Sequence, residues 1–194
     1  SESIISKAWS ASENGYYIQA FKNKLSNGGV SDAVRITPYK QIAEVFFRWS
    51  QSIQRAEQNI VNKSFYLSLA NFTDPTSSFL KFNLATILSD TGNYGLSKEI
   101  LDNFSNDDVF FMDSIVENSF AIEQLDNNEK ALEYIQQFII DGYANARLLK
   151  TYGSLQRSMG LFQEAIKSYT RAIEIAKRET HTEAIWPILF LRGI

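Results

Sequence analysis

The sequence predicts an all-α fold, an array of stacked antiparallel helix pairs, and three observations carry that prediction. Apolar residues recur at spacings of three and four over long stretches, the pattern of amphipathic helices. The prolines Pro38, Pro75 and Pro187 fall at segment edges rather than inside the periodic runs. Finally, one well-marked helical hairpin returns when it is shifted back along the chain by 34 residues.

Taken in chain order, the first 43 residues do not obey this period. Ile4, Ile5 and Trp9, then Tyr16, Tyr17, Ile18, Phe21 and Leu25, suggest one or two helices ending near Ser26-Asn27-Gly28-Gly29. They form an N-terminal helical cap or a degenerate repeat. Thr37 before Pro38 is an N-cap followed by proline at the first helical position, starting a helix that runs from Tyr39 to Arg55.

The clearest hairpin lies further on. Leu148, Leu149, Tyr152 and Leu155 make one stripe; Phe162, Ala165, Ile166, Tyr169, Ala172, Ile173 and Ile175 make a second. Between them, Gly160 can take the left-handed conformation that ends a helix. One period earlier each time, Gly160 becomes Asp126, Gly92 and Gln58, of which Gln58 suits a tight turn least. Leu155 becomes Ala121, Ile87 and Ile53, and Tyr169 becomes Ile135, Leu101 and Leu67, so both columns stay apolar and should be core. Gly153 becomes Ser119 and Ala85, a small residue where two helices approach closely, with Gln51 breaking the column. Ala165 becomes Ala131, Ser97 and Lys63. Four contiguous units follow, at 44–77, 78–111, 112–145 and 146–179. One helix pair cannot bury its own apolar face, and stacking similar pairs buries a continuous one.

Leu149, Tyr152-Gly153, Gly160, Phe162, Ala165, Tyr169 and Ala172 together resemble a tetratricopeptide repeat (TPR). Tyr66-Leu67-Ser68-Leu69-Ala70 followed by Pro75 is similar to the end of such a unit. Phe104 and Phe138 stand where the family usually has alanine, which predicts shorter or tilted second helices in the two middle units. The resemblance covers residues 44–179 and is to bacterial multi-repeat TPR proteins. It implies a right-handed superhelical solenoid and a non-enzymatic scaffold for protein interaction.

After an insertion of about six residues near 180–185, Trp186, Ile188, Leu189, Phe190, Leu191 and Ile194 would start a fifth unit that lacks its second helix. A solenoid end normally carries a polar capping face. The expectation is therefore a fragment of a longer array, or an end that pairs with another chain as a homo-oligomer. The sequence opens on Ser1 rather than Met and shows no signal peptide, so the natural N-terminus is read as missing. The compartment stays open between bacterial cytoplasm and envelope.

Composition narrows the chemistry. With no cysteine there is no disulfide framework, thiolate nucleophile or cysteine metal site. The 19 Lys and Arg against 22 Asp and Glu, net charge -3, leave no basic footprint for nucleic acid. No apolar run approaches the roughly 20 residues needed to span a bilayer. The single histidine, His181, sits in a polar stretch flanked by Glu179 and Glu183 and has no nucleophile to serve. Asn106-Asp107-Asp108 and Asp126-Asn127-Asn128-Glu129 lack the spacing of a calcium loop and read as turns. Asn27-Gly28-Gly29 lacks the lysine of a phosphate loop. No catalytic residue, metal or cofactor is expected.

What remains is the face that the first helices of a TPR array turn to the concave side. The resemblance assigns to it Val45, Arg48, Trp49, Ser52 and Arg55, then Phe79, Phe82, Asn83 and Thr86. From the third unit come Asp113, Val116, Glu117, Phe120 and Glu123, and from the fourth Arg147, Lys150, Thr151, Ser154 and Arg157. Such a groove is basic, then aromatic, then acidic, then basic. Aromatic anchors supply affinity and charge fixes register, so the expected partner is a protein or peptide segment. Chaperone-binding TPR domains clamp a carboxylate with lysines, asparagines and an arginine. Here only Asn83 fits a slot, and Asp113 and Glu117 carry the wrong sign in the third unit, so chaperone tails are not the expected ligand.

Overall fold

The computed structural model describes residues 37–53, 57–178 and 185–193. Among these residues all regular structure is helical, in nine helices. They are α1 (Pro38–Ser52), α2 (Glu57–Thr73), α3 (Ser78–Asp90), α4 (Tyr94–Leu101), α5 (Phe111–Leu125), α6 (Asn128–Ile140), α7 (Ala146–Ser158), α8 (Phe162–Arg178) and α9 (Ile185–Arg192). Each helix packs on the next in sequence, and the whole is a right-handed superhelical solenoid of antiparallel helix pairs. The apolar residues of 1–36, the insertion around His181, and Arg55 lie outside the described residues.

Local chemistry explains where the helices start and stop. Thr37 caps α1 by accepting the backbone N–H of Lys40 at 3.3 Å, with Pro38 in the first turn. Gly92 and Gly160 both adopt φ 78°, and each closes a helix in the same way. Gly92 donates to Ser89 and Asn93 to Leu88; Gly160 donates to Arg157 and Leu161 to Gln156. A side chain with a Cβ is strained at that φ, which is why glycine stands there. The third turn dispenses with glycine: Asp126 keeps a negative φ, and Asn127 caps α6 by accepting from Lys130 N–H at 2.9 Å.

The first turn departs from the period. α1 ends at Ser52, short of the expected Arg55; Ile53 is extended, and α2 begins at Glu57. Gln58 therefore lies inside α2 rather than at a turn. Gln58 offers neither the glycine used at 92 and 160 nor the Asp-Asn pair used at 126 and 127.

The two apolar columns are core. Tyr169, Ile135, Leu101 and Leu67 are buried, as are Leu155, Ala121 and Ile87, with Ile53 half-buried. The small-residue column is a contact column. A Cβ built on Gly153 would stand 2.8 Å from Cε1 of Tyr169, whose ring is 1% exposed. In the second pair the same approach is made by hydrogen bonding: buried Ser97 in α4 donates to the Ala85 carbonyl in α3 at 2.8 Å.

The second helices of the middle pairs are shorter, as Phe104 and Phe138 predict. α4 has 8 residues and α6 has 13, against 17 in α2 and in α8. Phe104 lies just beyond α4 and turns inward, its ring 6.3 Å from that of Phe82. At the far end, Ile188 of α9 is buried in one cluster with Leu149, Ala165, Tyr169, Ala172 and Ile173. Trp186 and Phe190, one turn apart, remain exposed.

Candidate functional site

The first helices of successive pairs form one layer: α3 touches α5, and α5 touches α7. Residues one period apart therefore stand side by side on neighbouring helices. That layer carries the side chains that the sequence assigns to the concave face.

Its N-terminal part is aromatic. Trp49 is about half exposed, braced edge-on by Phe46 at 5.9 Å and Tyr66 at 5.6 Å. Phe79 is 43% exposed and stands edge-on to Phe47 at 5.0 Å, with Phe110 at 6.0 Å on its other side. Phe82 is half-buried, stacked on Phe110 at 5.1 Å. Phe120 is 42% exposed, with Tyr94 edge-on at 5.9 Å. These rings are held in place by other rings yet keep accessible surface. Asn83 donates to the Phe79 carbonyl at 2.8 Å. Arg48 is exposed and paired with Glu44, one turn back, at 2.7 Å.

The charged part divides in two. Arg147 of α7 reaches back to α5, where its Nη1 donates to Asp113 and its Nη2 to Glu117 at 2.6 Å. Asp113 is buried, Glu117 half-buried and the guanidinium half-exposed. Burial pushes the Glu117 carboxyl above its ordinary pKa, opposed by Arg147 and reinforced by the charges of Asp113 and Asp90. Lys150 and Arg157, on the same α7 face, make no ion pair among the described residues.

Sequence reasoning assigns Asp113 and Glu117 to an acidic segment of the groove and Arg147 to the basic segment that follows, whereas the structure ties the three into a bridge between α5 and α7. The signal was available, since Asp113 and Arg147 have opposite charge one period apart. Phe110 and Tyr94, which brace the groove aromatics, were missed. So was a polar node behind the layer: buried Asn118 donates to Asp102 at 2.7 Å and to the Tyr134 hydroxyl at 3.0 Å, joining α5 to the end of α4 and to α6. Burial pushes the Tyr134 phenol up to about 12. Of the expected residues, Val116 is buried in the core and so presents little surface to a ligand.

Chemically, this arrangement offers stacking surface and fixed charge. Among the described residues no three histidine, aspartate or glutamate side chains gather to hold a metal, and no helix is long and apolar enough to cross a membrane.

Residues 146–179 match the family model described as tetratricopeptide repeat. No curated protein matches the chain in sequence. Among solved structures, a crystal structure of MamA protein superposes with a TM-score of 0.53 at 17% identity, covering 88% of this chain and 95% of that one. MamA 41-end from Desulfovibrio magneticus RS-1 gives 0.50 at 13% identity, over 78% of this chain and 95% of that one. At such identities the likeness is one of fold.

Proposed function

We propose that this chain, which has the fold of TPR proteins and matches the tetratricopeptide repeat model over residues 146–179, is a non-enzymatic scaffold whose concave layer of first helices holds a protein or peptide segment. Within this reading the array consists of units 44–77, 78–111, 112–145 and 146–179, preceded by a helical cap or degenerate repeat over 1–43 and followed by an insertion and the start of a fifth unit over 180–194. The observation that carries it is the set of three aromatic side chains, Trp49, Phe79 and Phe120, kept partly open on that layer although other rings brace each of them. Exposed, rigidly held rings bind at little cost in side-chain entropy.

The test is capture from source-cell lysate by the immobilised protein, beside a variant carrying Phe79→Ser and Phe120→Ser that matches it in helicity and melting. A protein retained by the native form and lost from the variant supports the groove. Equal capture by both removes it.

A second reading is self-association, favoured by Trp186 and Phe190 on the outward face of α9. Sedimentation at increasing concentration, with and without Trp186→Ser and Phe190→Ser, separates the two. Assembly lost from this pair alone, with groove variants unaffected, supports self-association.

A further inference from the structure

Resting on the groove reading above, we propose the chemistry of its occupant: a segment that is acidic where it lies on α7 and carries an apolar or aromatic residue where it reaches Phe120. Lys150 and Arg157 are seven residues apart on α7, hence two turns, about 10.5 Å, along one face of the helix. The third cation of that row, Arg147, is already held by Asp113 and Glu117 and has no spare charge to offer. Lys150 and Arg157, both half-buried, have no such partner among the described residues, so the row retains two positive charges without a neighbouring carboxylate.

Between them stand hydroxyls that already have partners within the protein: Thr151 donates to the Arg147 carbonyl at 3.1 Å, and Ser154 shares a hydrogen bond with the Tyr169 hydroxyl at 3.2 Å. The surroundings add direction. One period before Ser154 is Phe120, an accessible ring at the matching register of the neighbouring helix α5. One period before Arg157 is Glu123, and Asp90 ends α3, so the same end of the preceding helices is acidic. Carboxylates of the partner are therefore attracted to α7 and repelled from the C-terminal ends of α3 and α5, where Asp90 and Glu123 stand, although Lys81 lies further back on α3; this fixes which way the segment runs. Glu117 opposes this weakly, being half-buried and paired with Arg147.

Three fluorescein-labelled synthetic peptides test it by anisotropy at low and at physiological salt. One is glutamate-rich with a central tryptophan, one replaces every glutamate by lysine, and one replaces the tryptophan by serine. The glutamate–tryptophan peptide should bind most tightly, the lysine peptide about tenfold or more weakly, and added salt should weaken the former. Lys150→Glu with Arg157→Glu should lower its affinity about tenfold or more and reverse the preference between the two charged peptides. Phe120→Ser should lower its affinity and leave binding of the serine peptide unchanged. Circular dichroism must show each variant folded as the native chain. Equal or tighter binding of the lysine peptide overturns the acidic assignment and leaves the groove standing. Failure of the glutamate–tryptophan peptide to bind overturns the assignment too, and the lysate capture then judges the groove by itself. Tight binding insensitive to all three substitutions overturns both.

Discussion

Between α3 and α5 the layer of first helices is joined by aromatic rings, and between α5 and α7 it is joined by charge. The same register position carries Phe79, then Asp113, then Arg147. Upstream, Phe79 meets Phe110, Phe82 stacks on Phe110, and Phe104 closes from below. Downstream, the guanidinium of Arg147 bridges Asp113 and Glu117. One backbone period thus tolerates two unlike joints, because what the array requires is that neighbouring units be fastened, by whatever pairing the two side chains allow. The joints differ in what they respond to. Ring contacts are governed by apolar burial and are indifferent to pH, whereas the ionic joint depends on protonation and salt.

The largest break is expected at the aromatic joint. Phe110 is buried, and Phe110→Ala removes the ring beneath Phe82 and beside Phe79. Loss of a buried phenylalanine costs about 3–5 kcal/mol. Urea denaturation followed by circular dichroism should show this loss, and hydrogen exchange should show it concentrated in α3, α4 and α5.

A smaller loss is expected inside the last pair, where α7 and α8 meet through Gly153 and Tyr169. Gly153→Ala places its Cβ 2.8 Å from Tyr169 Cε1, so a fully buried ring must shift. Such overpacking costs about 1–3 kcal/mol. Adding Tyr169→Leu should recover part of the double variant's expected loss, giving favourable coupling in a double-mutant cycle. Strictly additive losses would show that the two side chains do not compete for one space.

At the ionic joint the effect is smaller again. Arg147→Met leaves the buried Asp113 carboxylate without its cation, yet the guanidinium is half-exposed and its attraction partly screened. About 1 kcal/mol is expected, falling as salt is added. The Phe110→Ala loss should stay constant over the same salt range once the general effect of salt is subtracted. Equal salt dependence in the two variants would erase the distinction between the joints.

What the sequence discloses divides along the same line. Positions that repeat are legible: the glycines at 92 and 160 and the small column through Gly153 do the same job in the units that carry them, and the buried column from Leu67 to Tyr169 does it in all four. Phe110 is not legible, because it lies in the connection between α4 and α5, outside the hairpin columns, and reaches its place only through the chain's path after the short α4. The Asn118 node requires three helices to converge, which no single period encodes. Arg147 is a middle case. The period puts it one register after Asp113, but whether it faces a ligand or a neighbouring carboxylate depends on its reach, and a long side chain can span the gap between helices.

The finest separation of the joints comes from Glu117 and pH. Burial raises its pKa above 4.5, and Arg147 offsets this only in part. The native chain therefore keeps the Glu117 proton at pH values where the unfolded chain has released it. With more protons bound in the native state, stability falls as pH rises. That fall begins near the unfolded value of 4.5 and ends once pH passes the native value; below the window the group has no effect, and above it the penalty is constant. Glu117→Gln has no proton to lose, and its amide oxygen can still accept from Arg147. Its stability relative to the native protein should therefore increase on going from pH 4.5 upward and then level off. Urea midpoints measured across that range for Glu117→Gln and for Phe110→Ala make the comparison directly. The first difference should vary with pH and the second should not, since the Phe110 ring is held by its stacking on Phe82 and its contact with Phe79, which carry no proton to lose. A flat difference for Glu117→Gln would mean that Arg147 fully compensates the burial of its partner, and the α5–α7 joint would then respond to salt alone.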